Sequence, residues 1–166
     1  MPSAVARAGA LTLAVVLAGC GKPVDVKQVL QVTDISTGYH DAGVVEGRNK
    51  LVPSVTFKLR KSTNDSVRPL SLNVVFKRLP LAASGAGGEE DWEEVFLQNV
   101  TFQANETAPL TVRPTHGYTG DPPQSRAEML ANSQFRDMRV HLFAKHGSGQ
   151  WAEIASFDVA RQLLPQ

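Results

Sequence analysis

The segment Ser54–Leu79, "SVTFKLRKSTNDSVRPLSLNVVFKRL", decides the fold class of this chain. Apolar and polar residues alternate in "SVTFKLR" (54–60) and again in "LSLNVVFKRL" (70–79). This period of two places the apolar side chains of each run on one face of a β-strand. Between the runs, "STNDS" (62–66) consists of residues that favour turns. Two such strands so close in sequence predict an antiparallel hairpin.

Further strand-like runs are separated by clusters of Gly, Pro, Asn and Ser, a pattern typical of short strands joined by turns. These runs cover residues 29–35, 92–102, 110–113, 138–144 and 151–159. Gly38 and Gly43 follow the first run and predict that it ends in a turn-rich loop. The segment Pro80–Asp91 combines glycines with acidic residues and predicts a mobile loop.

The last third of the chain predicts one helix and a second hairpin. Ser125 and Glu128 match a capping box at the start of a short helix that ends at Asn132. Gly147-Ser148-Gly149 predicts the hairpin turn, and the alternation slips near Ile154, as a β-bulge would cause. About seven strands and one short helix predict a mainly β protein, an antiparallel immunoglobulin-like β-sandwich, with a closed barrel as the alternative.

Residues 54–79 are also similar to the strand, Asn-containing turn and strand of bacterial FxLYD-like immunoglobulin-type domains, which occur in envelope proteins and lipoproteins. The resemblance covers 26 of the 166 residues. Lys77 and Arg78 depart from it, because the family often has an aromatic residue and an Asp after the position of Phe76. The resemblance implies a sandwich and no particular activity.

The most apolar run of the chain, "ALTLAVVLAGCGK" (10–22), contains its single cysteine. From Ala8 to Gly19 the apolar stretch is too short for a membrane span, which needs about twenty residues. Arg7 precedes an apolar core, Leu11–Leu17, and small residues stand before Cys20. Together these features predict an export signal.

Leu17-Ala18-Gly19-Cys20 resembles the lipobox of bacterial lipoproteins, in which a signal peptidase cuts before a cysteine that carries diacylglycerol. The resemblance implies that residues 1–19 are removed and that Cys20 becomes an N-terminus with covalent diacylglycerol and an N-acyl chain. Each buried methylene contributes about 0.8 kcal/mol, so two or three chains anchor a protein durably. An ordinary secretory signal is the alternative. We expect a tether over residues 20–25 and a single β-sandwich domain over residues 26–166.

Removal of residues 1–19 leaves 147 residues and takes away one basic residue, Arg7, so that 16 basic residues face 16 acidic ones. A formally neutral chain offers no general attraction for nucleic acid. With Cys20 lipidated, no thiol remains for a disulfide, for thiol catalysis or for a Cys-containing zinc site. Gly21, where an Asp would retain the protein in the inner membrane, favours the outer membrane if the cell has two membranes.

Three groups of polar residues invite a chemical role, and each has a simpler interpretation. The histidines lack the spacing of metal ligands, so we predict no metal site. They are His40, His116, His141 and His146. "GEEDWEE" (88–94) lacks the ordered ligands of a calcium loop and predicts a solvated acidic loop. Ser148 in "HGSGQ" (146–150) stands at a hairpin tip and not in a nucleophile elbow.

The segment 114–124 is the candidate binding loop, because His116, Tyr118 and Asp121 stand among glycines and prolines before the predicted helix. The alternative is a crossover between sheets, with Tyr118 as a corner residue whose hydroxyl bonds to the backbone.

These observations predict a membrane-anchored cell-envelope lipoprotein that acts as a non-catalytic binding or envelope-assembly module for an unidentified envelope protein. We expect no cofactor besides the covalent lipid on Cys20. A small envelope hydrolase or a carbohydrate-binding accessory protein is the alternative. The candidates for an aromatic sugar platform lie on separate predicted elements: Tyr39, Trp92, Tyr118 and Trp151. A lipid carrier is a third possibility and would need a large apolar cavity.

Overall fold

Two antiparallel β-sheets pack face to face in the structure, a computed structural model that describes residues 24–62, 64, 66–81 and 87–165. The strands are β1 (Leu30–Val45), β2 (Arg48–Lys61), β3 (Leu70–Arg78), β4 (Glu90–Leu97), β5 (Leu110–Val112), β6 (Tyr118–Gly120), β7 (Met138–His146) and β8 (Ala152–Asp158). The helices are α1 (Val26–Val29) and α2 (Arg126–Ala131). The prediction of an antiparallel β-sandwich is confirmed, with eight strands and two short helices in the described residues.

Sheet A has the order β1-β2-β5, and β6 also pairs with β2; sheet B has the order β4-β3-β7-β8. The core lies between the sheets and is built from the apolar faces of the alternating strands, which are withdrawn from water. Its largest fully buried members on the strands include Leu51, Phe57 and Leu59 of β2, Leu72 and Phe76 of β3, and Met138 and Leu142 of β7.

The predicted hairpin between residues 54–60 and 70–79 is wrong. β2 pairs with β1, β5 and β6, whereas β3 pairs with β4 and β7 in the other sheet. The chain therefore passes from sheet A, where β2 ends at Lys61, to sheet B, where β3 begins at Leu70, and packed sheets lie roughly 10 Å apart. A period-two pattern shows which face of a strand is buried but not which strand lies beside it, so two strands facing each other across a core carry the same pattern as a hairpin.

β1 passes through the predicted loop and extends to Val45. At Gly38, a Cβ atom would lie only 2.9 Å from the Gln162 carbonyl oxygen, so the glycine permits a close approach of the C-terminal segment. Gly43 has φ +78° and lies in the register shift between Asp41 and Val44, which is a β-bulge. Both glycines modify the strand locally and do not end it.

The predicted second hairpin is confirmed as β7 and β8. Its register passes from the pair Leu142 and Ala155 to the pair Phe143 and Glu153, which leaves Ile154 as the predicted bulge. Gly147, with φ +56°, lies in the turn between the strands.

The predicted helix is confirmed as α2. Ser125 is its N-cap, the reciprocal bonds of the capping box with Glu128 are both present, and Asn132 is its C-cap. Met129 and Leu130 form its buried face. A second helix, the single turn α1, was not predicted; the Asp25 carboxylate caps it by accepting a hydrogen bond from the Lys27 amide.

The predicted mobile loop at residues 80–91 is wrong at its C-terminal end, where β4 begins at Glu90. Residues 82–86 lie outside the described residues, as do the predicted signal peptide and residues 20–23 of the predicted tether.

The Gly117→Ala variant tests how closely the segment between β5 and β6 packs on β2. A Cβ atom there would overlap the Leu51 carbonyl group and stand 3.0 Å from a Val52 methyl. We expect the free energy of unfolding in urea to fall by about 1–3 kcal/mol. Gly88→Ala is the matched control, because a Cβ atom at Gly88 would have no heavy atom within 4 Å beyond its chain neighbours. Equal stability of the two variants would contradict this packing.

Candidate functional site

The candidate binding loop interrupts an edge strand of sheet A. β5 and β6 lie along the same edge of β2, where Val112 pairs with Val55 and Tyr118 pairs with Leu51. Residues 113–117 leave this ladder, so their backbone amides need other partners.

The partner of two of these amides is the Glu93 carboxylate of β4, in the opposite sheet. The Thr115 amide donates to Glu93 Oε1 at 2.6 Å, and the His116 amide donates to Oε2 at 2.9 Å. His116 Nδ1 also lies 2.8 Å from Oε2. One carboxylate thus joins the edges of the two sheets, and charge-assisted bonds of this kind are among the stronger hydrogen bonds in proteins.

The environment of Glu93 stabilises its ionised form. Burial alone would raise the pKa of this carboxyl, but the backbone N–H groups of Thr115 and His116 outweigh it and lower the pKa to about 2. The carboxylate therefore stays charged over the range in which most carboxyl groups titrate.

Tyr118 lies half-buried and not in solvent. Its hydroxyl donates to the Arg136 carbonyl at 2.8 Å, as the corner interpretation predicts. Its ring stacks on Trp92, with 5.5 Å between centroids and 24° between planes, and packs on Phe135 at 4.4 Å. Burial raises the pKa of Tyr118 to about 12, so the hydroxyl remains a hydrogen-bond donor.

The three predicted loop residues do not converge on one pocket. His116 faces Glu93, Tyr118 points into the core, and Asp121 accepts from Arg48 Nε at 2.7 Å on the surface. Each side chain therefore has a structural partner, and the binding role of the loop stays a prediction.

The prediction of a solvated acidic loop at 88–94 is wrong about the loop, because residues 90–94 belong to β4. Four of its five acids are exposed, as predicted, and they pair across strands. Asp91 and Glu90 lie opposite Lys77 and Arg78 in the β3–β4 register. Every acid of the segment has at least one partner: Glu89 with Arg139 and His141, Glu90 with Arg78 and Arg136, Asp91 with Lys77, Glu93 as above, and Glu94 with Asn73. Cross-strand pairs of opposite charge favour this register. The spacing of the acids along the sequence does not reveal these pairs, because their partners lie on another strand.

The four histidines lie in four different places. His40 is on β1, His116 faces Glu93, His141 lies between Glu89 and Glu153, and His146 Nε2 is 3.1 Å from the Arg68 carbonyl. Within the described residues, no group of three or more His, Cys, Asp or Glu is placed to hold a metal ion.

Most of the candidate aromatic residues form part of the interior. Tyr39, Trp92 and Tyr118 come together with Phe135, although they lie on separate elements. Arg78 lies over the Trp92 ring, with its guanidinium carbon 4.1 Å from the ring centroid. These rings do not form an open platform.

Trp151 is the exception, and it forms a surface patch with two residues that sequence analysis missed. Its ring centroid lies 6.1 Å from that of Phe96 and 4.9 Å from Lys145 Nζ. Trp151 is 38% exposed and Phe96 is 55% exposed. We call Phe96, Lys145 and Trp151 the Trp151 patch. The signal for Phe96 was present in the sequence, because it occupies the outward position between Val95 and Leu97 in an alternating strand.

The surface of the described residues has several depressions, three of which are defined by their lining residues. One of about 190 Å³ is lined mainly by Tyr118, Met129 and Phe135, and one of about 530 Å³ is lined by residues of α2 and the C-terminal segment, including Leu130 and Arg161. A third, of about 210 Å³, lies between Lys61 and Phe102. None of the three is lined by Asp, Glu or His.

Glu93→Gln tests the bond between the sheet edges. The folded pKa of about 2 lies below the ordinary 4.5, so this group stabilises the fold fully above about pH 4.5 and loses its contribution as pH falls toward 2. We expect the variant to lose about 1–3 kcal/mol of unfolding free energy at pH 7. Urea unfolding from pH 7 to pH 2 should show the two proteins converging in acid; a difference independent of pH would contradict the assignment.

In the described part of the chain, no helix is long and apolar enough to cross a membrane. No protein-family model matches the chain, and no curated protein matches it. One solved structure, titled "X-ray structure of Northeast Structural Genomics Consortium target SoR45", is 15% identical; the match covers 82% of this chain and 89% of that one, with a TM-score of 0.36.

Proposed function

We propose that this chain is a lipid-anchored lipoprotein of the bacterial cell envelope, whose single β-sandwich domain acts as a non-catalytic binding or assembly module. The observation that carries the proposal is the lipobox-like Leu17-Ala18-Gly19-Cys20 at the end of a short apolar run. It stands a few residues before the domain, in which Val26 is the first buried residue of the described part of the chain.

The short distance from Cys20 to Val26 supports a role close to the membrane. Six residue steps span at most about 20 Å even when fully extended. A domain held so near the bilayer meets membrane-bound partners at a raised effective concentration, which strengthens binding without any new contact. Envelope proteins are therefore the expected partners, and the formally neutral mature chain gives no support to nucleic acid.

The arrangement of ionisable groups favours binding over catalysis. The acids of residues 89–94 are held in bonds between strands, and the described depressions lack the Asp, Glu and His that general acid–base chemistry uses. The alternative of a carbohydrate-binding accessory protein draws its support from the exposed rings of Phe96 and Trp151.

Cys20→Ser tests the lipid anchor. We expect the membrane-extracted wild-type protein to have a mass that lacks residues 1–19 and includes acyl chains, because the thiol accepts the lipid before cleavage. The serine variant should lose both the acyl mass and the cleavage before residue 20. Intact-mass spectrometry of both proteins measures this. A wild-type protein cleaved without lipid, or left whole, would overturn the proposal.

Gly21→Asp is a matched variant that tests sorting separately from anchoring. In a host with two membranes we expect it to be lipidated like the wild type but retained in the inner membrane, whereas the wild type reaches the outer membrane. Density-gradient fractionation of the two membranes measures the difference. Identical distribution of the two proteins would contradict the outer-membrane assignment.

A further inference from the structure

We infer that the Trp151 patch is a membrane-docking surface, which inserts into the headgroup region of the anionic bilayer that holds the lipid on Cys20. The inference rests on the proposed lipid anchor and adds to it an orientation of the domain. Four observations support it: where the chain enters the domain, which side chains are exposed there, the charge of that end, and the relative tilt of the rings.

The tether enters the domain beside the hairpin that carries the patch. Val26 is buried, and the Ser62 amide donates to the Val29 carbonyl at 2.9 Å, so α1 is held at the end of the sandwich where β2 stops. α1 also contacts β7 and β8. Trp151 directly precedes β8, and Lys145 is near the end of β7. The patch and the tether thus share one end of the sandwich.

Phe96 belongs to the same end. It is next to the last residue of β4, and it pairs with Asn73 near the start of β3. Its contact with Trp151 places two large, exposed aromatic rings side by side. Trp is enriched at membrane interfaces because its ring is apolar while its indole N–H bonds to water or headgroups.

One cation contacts these rings, and two more are exposed at the same end of the domain. Lys145 Nζ lies over the Trp151 ring, and Lys27 and Arg68 are exposed at the same end of the domain. The exposed acids nearest the rings are Glu94 and Glu153, which bond to Asn73 and His141. Asp25 caps α1, and Glu106 is held by Lys58 and Arg60. Lys22 adds a further positive charge in the tether. Each cation near an anionic lipid surface favours binding by about fivefold.

The geometry of the rings favours lipid over carbohydrate as the occupant. The planes of Phe96 and Trp151 are inclined by 59°, so they do not form the flat surface on which a sugar ring stacks. Lys145 also occupies one face of Trp151. Rings inserted into the interface between bilayer and water do not need a common plane. The long side chain of Lys145 would place its ammonium group at the lipid phosphates while its methylene groups stay near the rings.

Fluorescence quenching of the lipidated protein in vesicles tests the inference. The vesicles contain phosphatidylethanolamine and phosphatidylglycerol, with brominated lipid as the quencher. The Trp151→Phe variant keeps only Trp92, so the difference between the emission of the wild type and that of the variant is the signal of Trp151. We expect shallow brominated lipid to quench the Trp151 signal and aqueous iodide to quench it weakly.

The charge contribution is tested with Lys145→Ala. We expect the ratio of docked to undocked protein to fall about fivefold, and vesicles of zwitterionic lipid alone to weaken docking in the wild type as well. Arg48→Ala is the matched control, because Arg48 begins β2 at the opposite end of the domain and is also exposed. It should dock like the wild type.

Three outcomes would overturn the inference. If Trp151 is quenched by iodide and not by brominated lipid while the protein floats with the vesicles, the anchor stands and the docking surface is wrong. If soluble peptidoglycan fragments shift the Trp151 emission and brominated lipid does not quench it, the patch binds carbohydrate. If the protein extracted from cells carries no lipid and does not float with vesicles, the proposed anchor fails first.

Discussion

The carboxylate of Glu93 is the constraint on which one side of this sandwich depends. A sandwich needs both sheets to end without unpaired backbone groups, and residues 113–117 leave the ladder of sheet A where those groups would be orphaned. Glu93, in the opposite sheet, accepts hydrogen bonds from two of these amides. Because its pKa is low, the carboxylate stays charged, and the charge strengthens both bonds. The neighbouring β6 then begins at Tyr118, whose ring fills the space beside Trp92.

The other side of the sandwich is closed by the C-terminal segment. The Tyr39 amide donates to the Gln162 carbonyl, and the Leu164 amide donates to the Tyr39 carbonyl, so part of the exposed edge of β1 is covered. Arg161 fastens this segment through Asp137 and the Phe135 carbonyl. Unpaired strand edges promote association between chains, and such coverage limits it. Gly38 makes the close approach possible, because any side chain there would collide with the segment.

With both sides occupied in this way, the surfaces that remain for partners are the outer faces and the two ends. The end nearest the tether combines exposed rings with cations, whereas the candidate loop at 114–124 has its polar groups engaged within the domain. In the proposed lipoprotein, the lipid on Cys20 would limit how the domain turns, since Val26 follows Cys20 by only six positions. With the proposed anchor and docking surface, the opposite end of the domain would be left for the proposed envelope partner.

Local patterns in the sequence were sufficient for features whose physics is local. The capping box of Ser125 and Glu128, the bulge at Ile154 and the turn at Gly147 each depend on a few adjacent residues, and the structure confirms them. The alternation of 54–60 and 70–79 likewise determined that apolar faces pack together in a β-sandwich. Only the tertiary structure decided that these two strands lie in different sheets, that Glu93 bridges the sheets at their edge, and that Trp151 meets Phe96. Strand pairing and contacts between distant residues are absent from a period-two pattern, because that pattern specifies the buried face and leaves the neighbour open.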